Sequence, residues 1–252
     1  MNNIEDNIIR WLREYVNNSN AKSFVIGISG GIDSALTSTL CARTEIKTIL
    51  VSLPIYQNRS HLERANKHIN DLKNKYSNVK SLEVDLTKTF DVFSSNLKSN
   101  DELANANSRS RLRMTMLYHI ATIHKGLVVG TGNKVEDFGV GFYTKYGDGG
   151  VDISPIADLL KSEVRELAKK ISVIPEIIEA KPSDGLWDDD RSDEDQIGAS
   201  YNELEWAMSY VDSDAKEDDL SDRKKEVLKI YLEFNIKNKH KMNPIPVFKR
   251  NI

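Results

Sequence analysis

One stretch limits what this chain can become: Ser23-Phe-Val-Ile-Gly-Ile-Ser-Gly-Gly-Ile-Asp-Ser-Ala-Leu36, in which a short apolar run stops at glycine and serine and restarts as a helical sequence. It reads as strand, tight loop and helix. Gly27, Gly30 and Gly31 let a ligand approach the backbone closely, and the NH groups of the loop and helix start can face an anion. A phosphate is the natural guest. Asp33 is out of place beside phosphates unless a cation lies between them, so it reads as a magnesium ligand.

Two commoner phosphate motifs fail. A Walker loop closes on Gly-Lys-Ser/Thr, whereas this one closes Gly30-Gly31-Ile32-Asp33-Ser34 without a lysine, and there is no Gly-x-Gly-x-x-Gly spacing. Ser29-Gly30-Gly31-Ile32-Asp33-Ser34 instead matches SGGxDS and resembles the PP-loop ATP pyrophosphatases, which cleave ATP to AMP and pyrophosphate.

The rest of the chain fits an α/β protein. Apolar and helical-period segments alternate, which implies a doubly wound parallel sheet, expected to have five strands, with its ligand site beyond the strand C-termini. An amphipathic helix over residues 3–17 comes first. Strands follow at residues 24–28, 48–53, 81–84, 127–130 and 151–154. Helices are expected at 34–43, from Ser60 to about residue 76, at 87–97, at 108–124 and at 159–171. Ser60 and Glu63 form a capping-box pattern, as do Ser200 and Glu203. In the helix over 108–124, Leu112, Met116, His119, Ile120 and Ile123 can share a buried face. Arg109 and Arg113 fall on one side and Arg111 nearly opposite, at about 200° for two residues of helix. The chain reads as one domain over residues 1–252: the N-terminal helix, an α/β core over 20–175 and a helical part over 176–252.

Glycine use marks a second place of unusual backbone. Eight of the 13 glycines lie between Gly126 and Gly150. The run from Glu136 to Asp152 combines aromatics with Lys145 and carboxylates, and a surface loop of this length is uncommon unless functional. Lys161, at the start of a helix where the dipole disfavours a lysine, points to a ligand role. The acidic stretch 184–195 reads as a solvated loop or a lid, and Lys237-Asn-Lys-His-Lys241 as a basic tail.

Bulk properties narrow the partners. A net charge of −3 gives no whole-protein attraction to nucleic acid or anionic membrane, and no apolar run is long enough to span a bilayer. The single cysteine, Cys41, permits no internal disulfide and fits a reducing cytoplasm.

Taken together, SGGxDS, Ser110-Arg-Leu-Arg-Met114, Gly130-Thr131, the run Phe142-Tyr-Thr-Lys-Tyr-Gly-Asp-Gly-Gly-Val-Asp152, Lys181-Pro-Ser-Asp-Gly-Leu186 and His240-Lys241 resemble the ammonia-dependent NAD synthetases, over about residues 20–247. That resemblance implies conversion of deamido-NAD to NAD. ATP adenylates the nicotinate carboxylate, pyrophosphate leaves, and ammonia then displaces AMP. It also implies residue roles. Gly27, Ile28, Ser29, Gly30, Gly31, Ile32, Asp33 and Ser34 would hold ATP phosphates, with Thr131, Lys161 and Ser183 also contacting ATP. Gln57 joins that set because its strand end lies beside the loop. Asp33 and Glu136 would bind Mg2+. Arg111, Lys145, Asp152, His240 and Lys241 would contact deamido-NAD, and Asp148 would bind or deprotonate ammonia, so that Asp148, Lys161 and Asp33 carry the catalysis. The family is homodimeric, and the short chain without an amidase nucleophile implies free ammonia as donor.

Departures from the family pattern leave alternatives open. One extra residue between Glu136 and Lys145 makes Asp137 a rival for the metal role. Asn133-Lys134 replaces an Asp-His found in some members, Ser183 stands where threonine is frequent, and Met242 where arginine is frequent. Two other readings are an adenylating tRNA-modification enzyme and a non-catalytic nucleotide-binding module. The acidic balance counts against the first, and the combination of Asp33, Lys161 and Asp148 against the second.

Overall fold

A computed structural model of the protein describes residues 3–97, 101–180, 192–213 and 219–250. At its centre is a parallel sheet in the order β3-β2-β1-β4, built from β1 (Ser23–Gly27), β2 (Thr48–Ser52), β3 (Val79–Glu83) and β4 (Gly126–Val128). Val25 pairs with Ile49 on one side and Val128 on the other. The expected fifth strand, 151–154, is reduced to a single parallel bridge between Val129 and Ile153. It still extends the sheet past β4.

Side-chain alternation along β1 divides the core into two layers. Phe24 and Ile26 point into a cluster with α1 (Ile4–Asn18), α2 (Ile32–Ala42), α6 (Lys161–Lys170) and α7 (Pro175–Ile178). Val25 joins Ile49, Val51, Phe90, Met114 and Leu117 on the other face, beneath α4 (Thr87–Ser95) and α5 (Glu102–His124). A third cluster forms off the sheet, where a π-helix (Val135–Val140) packs with α9 (Tyr201–Asp212) and α10 (Asp222–Met242).

Several sequence expectations shift. The helix after β2, α3 (Arg59–Lys75), is capped not by Ser60 but by Asn58, whose side chain accepts from the Ser60 amide at 2.9 Å. Glu63 accepts from Arg59 instead of reaching back to a cap. The Ser200–Glu203 capping box forms as expected. In α5 the buried stripe is Ala106, Ser110, Met114, Leu117, Ile120 and Ala121, while His119 and Ile123 face solvent. Of the expected face, Ile120 is buried and Leu112 and Met116 pack partly buried against the same cluster, while in the first half of the helix small and polar residues such as Ala106 and Ser110 face the cavity.

Glu136 to Asp152 is not simply a glycine-rich loop, because it starts as the π-helix. The basic tail is the last turn of α10, where Lys239, His240 and Lys241 suit the negative end of the helix dipole. Of the acidic stretch, residues 184–191 lie outside the described residues, and 193–195 open a short helix, α8 (Asp193–Ile197). No helix among the described residues is long and apolar enough to cross a membrane.

Candidate active site

The loops that leave the C-terminal ends of β1, β2 and β4 line one cavity of about 710 Å³. This is where a doubly wound sheet places ligands. Gly27 to Ser34, Gln57, Thr131 and Lys161 all line it, as do Glu136, Asp148, Arg111, Lys145, His240 and Lys241. Asp152 does not. Its Oδ2 accepts from the Val128 amide at 2.8 Å and its Oδ1 from the Tyr118 hydroxyl at 3.0 Å, so it braces the edge of β4. Ser183 lies outside the described residues.

The β1–α2 loop is held open from within. Ser34 Oγ donates to the Gly31 carbonyl at 3.0 Å, and the Gly31 amide donates to Ser29 Oγ at 3.2 Å. Gly30 sits at φ +85°, and a Cβ there would lie 2.4 Å from the His61 carbonyl oxygen. A backbone atom cannot yield as a side chain can. Gly30→Ala is therefore expected to cost about 1–3 kcal/mol of stability and to weaken ATP binding about tenfold or more. A thermal melt and an ATP titration check this.

At the heart of the site, Lys161 Nζ donates to Asp33 Oδ2 at 2.6 Å and to Glu136 Oε1 at 2.9 Å. Lys161 is only 2% exposed despite opening α6. Burial alone would lower its pKa, but the two carboxylates reverse that and raise it, so the ammonium form is fixed. Burial pushes Asp33 up, with Lys161 opposing. Glu136 is partly buried, and desolvation alone would raise it, yet Lys161 and the Tyr201 hydroxyl together hold it below the usual carboxylate range.

Two carboxylate oxygens thus converge on one cation. Hard oxygen donors of this kind fit magnesium, which keeps several waters and takes one or two protein carboxylates beside substrate phosphates. Among the described residues no group of three or more His, Cys, Asp or Glu could hold a metal.

The π-helix presents the two rival carboxylates differently. Glu136 faces Lys161, whereas Asp137 lies against Gly132 and lines both the main cavity and a side pocket of about 180 Å³ that it shares with Asp148. Burial, reinforced by Glu136, Asp148 and Asp33, pushes Asp137 up to about 8. Asp148 Oδ1 accepts from Ser110 Oγ at 2.7 Å and from the Thr144 amide at 3.0 Å, and the Asp148 amide donates back to Ser110 Oγ at 3.0 Å. Ser110 comes so near that a Cβ on Gly147 would lie 2.2 Å from its Oγ. Asp148 is exposed as a residue, yet desolvation of its carboxyl raises its pKa against these hydrogen bonds.

At the outer end, Arg111 Nε donates to the Lys145 carbonyl at 3.1 Å, and Lys145 Nζ donates to the His240 carbonyl at 2.7 Å. Lys241 Nζ spans the carbonyls of Gly141 and Tyr143 at 2.9 and 2.8 Å. Four candidate substrate contacts are therefore gathered, with Lys241 also fastening the end of the π-helix.

Sequence reasoning missed three contributors. Asn133, fully buried, donates to Asp33 Oδ1 at 3.1 Å and accepts from the Glu136 amide at 3.1 Å, linking the two carboxylates. An aspartate there would set a third carboxylate against them. Arg113 donates from Nε to the Leu53 carbonyl at 2.9 Å and from Nη2 to Gln57 Oε1 at 3.0 Å. Burial, and Arg109 nearby, bring its pKa down to about 10. Ser110 stood in a recognised motif without a role. Only its i, i+4 relation to buried Ala106 and Met114 could have signalled that it faces inward.

Comparison with known proteins follows this geometry. A family profile described as NAD synthase matches residues 4–245. The NH(3)-dependent NAD(+) synthetase of Carboxydothermus hydrogenoformans is 37% identical over 206 residues, 79% of this chain and 82% of that protein. Among solved structures, the NMN synthetase from Francisella tularensis superposes with a TM-score of 0.85 at 29% identity, covering 99% of this chain and 98% of that one. The NH3-dependent NAD synthetase from Campylobacter jejuni gives 0.80 at 26% identity, covering 98% of each.

Proposed function

The chain belongs to the NAD synthase family, and from that membership and the shape of its cavity we infer that it amidates deamido-NAD to NAD with ATP and ammonia, the last step of NAD biosynthesis. It is an ATP-dependent carbon–nitrogen ligase. The observation that carries this reading is the meeting, in one cavity, of a phosphate loop, a buried lysine between two carboxylates, and a separate carboxylate, Asp148.

A carboxylate is a poor acyl donor. A nicotinate oxygen attacks the α-phosphorus of ATP, the bond to pyrophosphate breaks, and AMP becomes the leaving group for ammonia. The loop amides from Gly27 to Ser34 hold phosphate oxygens, with Thr131, Gln57 and Ser183 completing the ATP contacts. Asp33 and Glu136 would hold magnesium, which when bound supplies charge neutralisation at the phosphates. Lys161 stabilises the charge that gathers on departing pyrophosphate. Arg111, Lys145, His240 and Lys241 orient deamido-NAD. Asp148 draws ammonium to the acyl carbon and takes its proton, since ammonium itself has no lone pair.

The reading extends to a homodimer in the cytoplasm. Exposed Trp11 and Tyr15 on α1, and Leu103 and Ile123 on α5, offer apolar surface for a second copy, and the buried free thiol of Cys41 suits a reducing compartment.

The test is turnover by the purified protein with ATP, Mg2+, deamido-NAD and ammonium, against omissions of each and replacement of ammonium by glutamine. NAD and AMP are expected one for one, only with ammonium. The Francisella tularensis neighbour is named for a mononucleotide product, so nicotinate mononucleotide enters the same assay. Faster turnover of it would move the acceptor from dinucleotide to mononucleotide and leave the chemistry intact.

A further inference from the structure

Tyr201 opens α9 and is 3% exposed. Its ring lies with Lys161 Nζ 4.7 Å from the centroid, and its hydroxyl donates to Glu136 Oε1 at 2.5 Å, with Asp193 Oδ2 at 3.2 Å as a second acceptor. One side chain therefore touches both the lysine and a carboxylate of the central group. Burial and the surrounding carboxylates raise its pKa, so the hydroxyl remains a donor.

The helix behind it is fixed at several points. The Tyr201 amide donates to Glu194 Oε1 at 2.8 Å, and the preceding Ser200 is locked in its capping box with Glu203. One turn on, Glu205 accepts from the Ser162 amide and Ser162 Oγ, both at 2.8 Å, at the start of the helix that carries Lys161. Tyr201 and Glu205, at i and i+4, share one face of α9. That face braces α6 through Ser162 and the π-helix through Glu136.

We propose that Tyr201 is a positioning residue for the divalent cation: its hydroxyl holds the Glu136 carboxylate in the orientation that lets it share a metal with Asp33, while its ring backs Lys161. This rests on the reading that Asp33 and Glu136 hold the metal. A carboxylate on a flexible two-carbon stem has no fixed direction of its own, and Glu136 extends from the π-helix on such a stem. An outer-shell partner that removes this freedom is worth about 10–100-fold in metal affinity or activity. The brace through Glu205 keeps the donor and the lysine in one frame, so both respond to the same helix.

Tyr201→Phe removes one oxygen and keeps the ring over Lys161. Mn2+ binding to the full-length protein, read by electron paramagnetic resonance with a non-hydrolysable ATP analogue, is expected to weaken about tenfold or more. Added metal should restore kcat, and the KM for ammonium should stay as in the wild type. Tyr201→Leu, which also removes the ring, should lower the melting temperature where Tyr201→Phe does not. Unchanged Mn2+ affinity in Tyr201→Phe, a kcat loss that metal does not repair, or failure of Tyr201→Phe to fold would each overturn the proposal. A wild type that makes NAD and binds Mn2+, beside a Tyr201→Phe protein that binds it equally, refutes the role of Tyr201 alone. A wild type that binds no Mn2+ refutes the metal reading beneath it.

Discussion

Lys161→Met is expected to lower adenylation of deamido-NAD, read as ATP–pyrophosphate exchange, by about a thousandfold, comparable with loss of a preorganised donor at a developing charge. It should also cost about 3–5 kcal/mol of stability, because removal of one member of a buried ionic group leaves the others uncompensated. Both effects follow from the same geometry: Lys161 Nζ is the cation that Asp33 Oδ2 and Glu136 Oε1 face at 2.6 and 2.9 Å, in a site with almost no exposure. The two effects can be separated. Mg2+ titrated into the variant should recover much of the melting temperature, since a divalent ion supplies the charge that both carboxylates lack, but it should not recover exchange to the same degree. A variant that loses stability and keeps exchange within about tenfold of wild type would make Lys161 a structural cation only.

How much of this was legible in the sequence depended on whether a feature was local. Ser29 to Ser34 announced both a backbone conformation and a chemistry, because positive φ at Gly30 and the bond from Ser34 Oγ to the Gly31 carbonyl are properties of consecutive residues. The alternation of strands and helices likewise fixed a parallel sheet. What escaped was set by packing between distant segments. Ser110 is buried because α5 roofs the cavity, while Ile123, at the other end of the same helix, is exposed. Ser60 gave way to Asn58 as the cap because the helix starts one residue earlier, at Arg59, so that Ser60 lies within its first turn. Asp152 belonged to a recognised run and was placed with the substrate contacts, yet it is occupied by Val128 and Tyr118, one from β4 and one from α5. The choice between Glu136 and Asp137 could not be made by counting residues. The π-helix sets Glu136 against Lys161, while Glu136 and Asp137 both line the cavity.

Asp148→Asn is expected to divide the reaction into its two halves. Amide formation should fall about 100-fold or more, the range for loss of a general base, while ATP–pyrophosphate exchange stays within a few-fold of wild type. The substitution suits its site. Asp148 Oδ1 is the atom that accepts from Ser110 Oγ and the Thr144 amide, and an asparagine oxygen can take both bonds, so the loop that presents it is preserved. What is lost is negative charge and the capacity to take a proton. Asp148 is exposed as a residue, but desolvation of its carboxyl among the surrounding site atoms and the nearby Glu136 charge raise its pKa, so its carboxylate form declines as pH falls through the raised range. The wild type should therefore lose ammonium use toward acid pH more steeply than the fall in free ammonia accounts for, and the variant should follow free ammonia alone. AMP released without an equivalent of NAD would mark adenylate that forms and is then lost to water. Equal loss of exchange and amide formation would instead place Asp148 in the binding of deamido-NAD or ATP, with no special part in the arrival of ammonia.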